Sequence, residues 1–142
     1  MRTEFDPTTL THRIDLTMPG EVKAVPPTVT RLMEAVREMA CAKGKEFEIE
    51  LALTEALANA VEHGCKGDAG KSVQVTAACD PTRGMLVVVR DPGTGFDPAA
   101  VPSPIVGERI YSEGGRGIFL INRLMDEIRY ERGGTEIWMV KR

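Results

Sequence analysis

Several things are scarce in this chain, and each scarcity closes off a class of function. No apolar run approaches the ~18–20 residues that span a bilayer, and the opening stretch MRTEFDPTTLTHRID lacks the apolar core of a secretory signal. The expectation is therefore a protein of the cytoplasm with no membrane contact. Lys and Arg are scattered and the formal net charge is −3, so the basic stripe of a direct nucleic-acid binder is missing. There are only three cysteines (Cys41, Cys65, Cys79) and two histidines. With no CxxC pair and an odd count, no disulfide framework is expected. A metal site drawn from His63, Cys65 and Cys79 lacks standard ligand spacing, and small, partly buried thiols are the simpler reading. Neither GxxxxGK[ST] nor GxGxxG occurs, so a bound nucleotide would be held some other way.

What is present suits one folded domain of 142 residues, 42% hydrophobic and 27% charged. RIDLTM (13–18) alternates as a strand, broken by Pro19 and Gly20. Val29, Leu32, Met33, Val36, Met39 and Ala40 recur at helical spacing from Pro26 to about Ala42. A second helix is expected from Glu46 to about His63, with Gly64 as its C-terminal cap. SVQVTAACD (72–80) and MLVVVRD (85–91) read as strands, the latter apolar enough to be central. Residues 97–114 carry Pro98, Pro102 and Pro104 and no sustained period, which predicts a long loop, of the kind that is either a functional lid or disordered. Ile118 to Met125 reads as a helix. EIRYER (127–132) and TEIWMVKR (135–142), joined through Gly133–Gly134, form a hairpin. The order β-α-α-β-β-loop-α-β-β predicts a two-layer α/β sandwich.

Three stretches carry candidate chemistry. In LTEALANAVEHG (53–64), Glu55, Asn59 and His63 share a helix face. The oxygens of Glu55 and Asn59 suit a hard cation such as Mg²⁺, and the Glu55 carboxylate could serve as a general base, although a half-exposed helix face has the same pattern. In DPGTGF (91–96) a carboxylate ends a buried strand, and Gly93 and Gly95 let backbone approach a ligand; Asp-Pro-Gly is also ordinary turn chemistry. In GGRG (114–117) glycines open a helix whose free N–H groups favour anions, with Arg116 adding charge; a hinge is the alternative.

In this order, the three stretches resemble the boxes of the GHKL ATPase superfamily, and among its members the stand-alone anti-sigma-factor serine kinases. Glu55, Asn59, Ala60, His63 and Gly64 match the N box. Asp91, Gly93, Gly95 and Phe96 match the first glycine box, and Gly115, Arg116 and Gly117 the second. The resemblance implies a Bergerat-type ATP-binding fold over 1–142, with a mixed, mostly antiparallel sheet covered on one face by helices and an ATP lid at 97–114. It implies ATP and Mg²⁺ as cofactors. Glu55 would be the general base and Asn59 the Mg²⁺ ligand. Asp91 would hydrogen-bond the adenine amino group, with Gly93 and Gly95 shaping the pocket and Thr135 helping to hold adenine. Gly115 and Gly117 would end the lid against the phosphates, with Arg109 and Arg116 as phosphate contacts. His63 is left between a phosphate neighbour and a helix-end residue satisfied by backbone. The implied function is a cytoplasmic anti-sigma factor and protein-serine kinase. Its implied partners are a sigma factor and a small anti-anti-sigma (STAS-like) protein, with homodimerisation left open. A nucleotide-dependent binding module without kinase turnover, or a switch kinase with a non-sigma target, are the alternatives.

Overall fold

The computed structural model describes residues 12–66, 68–80, 82–93 and 120–142. Alternation builds its sheet. In β1 (His12–Pro19) Ile14, Leu16 and Met18 turn inward while Arg13, Asp15 and Thr17 face the other way. β2 (Ser72–Asp80), β3 (Gly84–Arg90), β4 (Glu127–Glu131) and β5 (Glu136–Lys141) complete five strands in the order β1-β2-β3-β5-β4. Every pairing among the described strands is antiparallel. β3 lies in the middle and is buried up to Val89, as its unbroken apolar run predicts.

Two helices cover one face. α1 (Val25–Met39) starts with Pro26 and Pro27, which its first turn accepts without losing a hydrogen bond. It buries Val25, Val29, Leu32, Met33 and Val36 and stops where Ala40 turns left-handed (φ 59°). α2 (Glu46–Asn59) has Glu46 and Glu48 in its first turn, matching the positive end of the helix dipole. It buries Ile49, Ala52, Leu53, Ala56 and Leu57. These side chains meet Val73, Val75 and Ala77 of β2 and Met85, Val87 and Val89 of β3 in the main core. The opposite face has a smaller apolar strip, Ala78, Leu86, Val88 and Val140, beside Trp138. Residues 120–124 are helical, in line with the expected helix, and Lys141 Nζ donates to the Leu124 carbonyl at 2.6 Å. Among the described residues, no helix is long and apolar enough to cross a membrane.

Two expectations need correction. Gly64 does not cap α2. The helix widens after Asn59 into a π-helical turn, Ala60–Cys65, and the left-handed residue that ends it is Lys66 (φ 52°). Cys41 and Cys79 form a disulfide, Cα atoms 6.3 Å apart, and Cys65 is the free, buried thiol. Folding the turn after α1 onto the far end of β2 brings together residues 38 positions apart, a proximity that Cys spacing does not reveal. It also commits Cys79, which removes it from any metal site with His63 and Cys65.

Candidate functional site

The site begins where β3 runs out. Strand alternation sends Val87 and Val89 to the helix side, Val88 and Arg90 to the other, and so returns Asp91 to the helix side. Its backbone N–H donates to the carbonyl of Thr135 at 2.9 Å, which joins the end of β3 to the turn before β5. Thr135 is set by its own turn: its hydroxyl donates to the Arg132 carbonyl at 2.9 Å, with Arg132 and Gly133 both left-handed. Asp91 and Thr135, far apart in sequence, are thus neighbours.

The Asp91 carboxylate is half-buried. Oδ1 accepts the Gly93 N–H at 2.8 Å, and among the described residues Oδ2 has no hydrogen-bond partner. Burial pushes the Asp91 carboxyl above its usual 3.8, against the opposing pull of the Gly93 N–H and the nearby His63. The carboxylate lies directly against Gly64. A Cβ on Gly64 would overlap the Asp91 carboxyl carbon and Oδ1, and a Cβ on Gly93 would come within 2.8 Å of the Gly64 Cα. Gly64 and Gly93 therefore form a floor without side chains around one carboxylate. Here the glycines serve close approach, and at Gly64 a left-handed φ plays no part.

The π turn supports this floor. An i→i+5 turn inserts extra width at the end of an α-helix, and here it carries the backbone of Gly64 to Asp91 while Ala60, Val61 and Cys65 stay in the core. Cys65 packs beneath, against Gly20, whose own Cβ would lie 2.6 Å from that of Cys65. Burial, then the adjacent Asp91, push the Cys65 thiol up. Gly20 thus fits a close contact besides ending β1.

One turn earlier in α2, Glu55 and Asn59 are both partly buried, and among the described residues nothing donates a hydrogen bond to the Glu55 carboxylate. His63 leaves their line because the π turn breaks α-helical spacing. It is exposed, with Nε2 3.4 Å from Glu62 Oε1. That contact is to a side chain, a third option beside the two expected for it. Of the residues expected from sequence, the structure brings together Asp91, Gly93 and Thr135, and sets Glu55 and Asn59 on the helix that leads to their floor. Gly95, Arg109, Gly115, Arg116 and Gly117, with the lid at 97–114, lie outside the described residues. Gly64, matched to the N box but read only as a helix cap, has a role the sequence reading did not assign it, the close approach to Asp91.

Chemically, Oδ2 of Asp91 is an acceptor that a ligand amino group could reach, beside a backbone without side chains at Gly64 and Gly93. The Asn59 amide oxygen and the Glu55 carboxylate are hard donors of the type that Mg²⁺ accepts. These residues fit a purine nucleotide with its cation. The family profile described as "Histidine kinase-like ATPase domain" matches residues 18–141. The chain belongs to this family. As a histidine kinase-like ATPase domain it keeps both helices and β2 to β5 within the match. It is 33% identical over 103 residues to the serine-protein kinase RsbW of Bacillus subtilis (strain 168), a match covering 66% of this chain and 62% of that protein. It is also 33% identical over 101 residues to the serine-protein kinase RsbW of Bacillus licheniformis and to that of Listeria monocytogenes, covering 62% and 64% of those proteins. The match thus spans less than two thirds of these relatives.

Proposed function

We propose that this histidine kinase-like ATPase domain is a cytoplasmic protein-serine kinase and anti-sigma factor that uses Mg-ATP. The observation that carries the reading is the Asp91 carboxylate on its glycine floor beside Thr135, at the end of the helix that bears Glu55 and Asn59. The likeness to serine-protein kinases named RsbW supports the same reading. Asp91 Oδ2 accepts from the adenine amino group, Thr135 helps to hold the ring, and Gly93 and Gly95 leave it room. Asn59 contributes an oxygen to Mg²⁺. Gly115 and Gly117 end the lid at the phosphates, where Arg109 and Arg116 add positive charge. Bound Mg-ATP supplies the phosphoryl group and its charge neutralisation. Glu55 accepts the proton of the substrate serine as the serine oxygen takes up the γ-phosphoryl group and the bond from that phosphorus to the departing ADP breaks. The serine belongs to a small anti-anti-sigma protein of STAS type, and the other partner is a sigma factor, held until the antagonist competes for it.

The test is phosphorylation with Mg-ATP in host lysate, read by mass spectrometry beside a Glu55→Ala control. Phosphoserine on a small antagonist in the wild-type reaction alone is the expected result, with Mg-ATP binding retained in Glu55→Ala. Nucleotide binding without any phosphoprotein would replace the kinase with a binding module.

A further inference from the structure

Glu136 is the one buried charged residue among those described, at 9% exposure. A buried carboxylate persists only when it is well paired, and Glu136 is paired on both oxygens. Oε2 lies 3.2 Å from Arg90 Nε and 3.1 Å from its second guanidinium nitrogen. Oε1 accepts the Trp138 indole N–H at 3.1 Å and lies 3.9 Å from Arg132 Nε. Arg90 and Glu136 are direct cross-strand partners in the β3–β5 register. Arg90 immediately precedes Asp91, and Glu136 immediately follows Thr135. By alternation, both charges sit on the face away from the helices, beside Leu86, Val88, Trp138 and Val140, while Asp91 faces Gly64 on the helix side.

We propose that the Arg90–Glu136 pair is a positioning device for adenine recognition, acting from the back of the sheet. It closes the last rung of β3–β5, and that rung sets the Asp91 N–H to Thr135 carbonyl bond of 2.9 Å. Arg132, reached by the same carboxylate, begins the turn that holds the Thr135 hydroxyl. The pair touches no ligand. It fixes where the carboxylate and the threonine stand, so that one oxygen of Asp91 meets an exocyclic amino group. Because two guanidinium nitrogens share Oε2, lysine is a poor substitute for Arg90.

This inference rests on the nucleotide reading above, and its test separates the two. Mg-ATP affinity is compared with that for purine riboside triphosphate, which bears hydrogen in place of the amino group, by calorimetry on the full chain. Asp91→Asn is the reference and is expected to weaken ATP about tenfold or more while leaving the analogue unchanged. Glu136→Ala and Arg90→Lys are expected to show the same ATP-selective loss, larger for Glu136→Ala, with Glu136→Gln in between because it keeps an acceptor for Trp138. Equal loss for both nucleotides, or no loss, in the Glu136 and Arg90 variants beside a selective Asp91→Asn would overturn the positioning role and leave the nucleotide reading intact. An Asp91→Asn variant that binds ATP like the wild type would overturn both. Should Glu136→Ala fail to fold, Arg90→Lys and Glu136→Gln decide the matter by the same ratio.

Discussion

Replacing Gly64 with alanine is a sharp perturbation of the site, because it adds one methyl group at a known place. The backbone at Gly64 is not left-handed, so alanine suits it and gains about 0.5–1 kcal/mol of intrinsic preference. Against that, the new methyl overlaps the Asp91 carboxyl group. If Asp91 stays, overpacking costs about 1–3 kcal/mol. If it swings aside, the charge-assisted bond from Gly93 is lost at about 1.5–3 kcal/mol. Either route leaves a net loss of about 1–2 kcal/mol, or a Tm lower by about 3–7 °C for a chain of this length. On the proposed nucleotide reading the effect on binding is larger, since Asp91 is displaced: Mg-ATP affinity should fall about ten- to a hundredfold. Calorimetry with Mg-ATP and a thermal melt read the two effects separately. In an Asp91→Gly background, where both the carboxyl group and Cβ are gone, Gly64→Ala no longer lowers Tm. A Gly64→Ala protein that binds Mg-ATP as tightly as the wild type would refute the close-approach argument.

Asp91 also carries a pH dependence. Its folded pKa is raised by burial above 3.8, so the folded state holds the proton more tightly than the unfolded chain, and this contribution to stability is lost as pH rises from 3.8 through the raised value. Asp91→Asn removes that slope from a Tm-against-pH series, while in the wild type ATP affinity falls as pH drops through the same window. Reducing Cys41–Cys79 opens a loop spanning 38 positions, for which loop-closure entropy gives about 4 kcal/mol. Tm should fall by about 13 °C with reductant, and Cys41→Ser should melt at the reduced value and ignore reductant. Thiol titration of the denatured chain should find Cys65 alone before reduction and three cysteines after it; a reductant-insensitive Tm in the wild type would contradict the clasp.

Periodicity and turn chemistry made the elements of this domain readable from its amino acids. The alternation in SVQVTAACD marked β2 at residues 72–80, matching Ser72–Asp80. The β-branched run before Asp91 marked a central strand, and Gly133–Gly134 marked the turn of the last hairpin. Glu55 and Asn59 could be named because α-helical spacing predicts a shared face. The end of α2 escaped this reading. A glycine after a helical run is ordinarily a cap, and only the packing of Asp91 shows that the residue must lack a side chain while the chain continues through a wider turn.

Local sequence therefore determined the strands, the helices, the polar stripe and the carboxylate at the end of β3, because each depends on neighbours within a turn or a strand. Tertiary structure alone decided the Cys41–Cys79 bond, the seating of Asp91 on Gly64, its link to Thr135 and the Arg90–Glu136 pair behind it. Each of these joins residues from different elements, and its distance is set by how sheet and helices pack, which no short window of sequence contains.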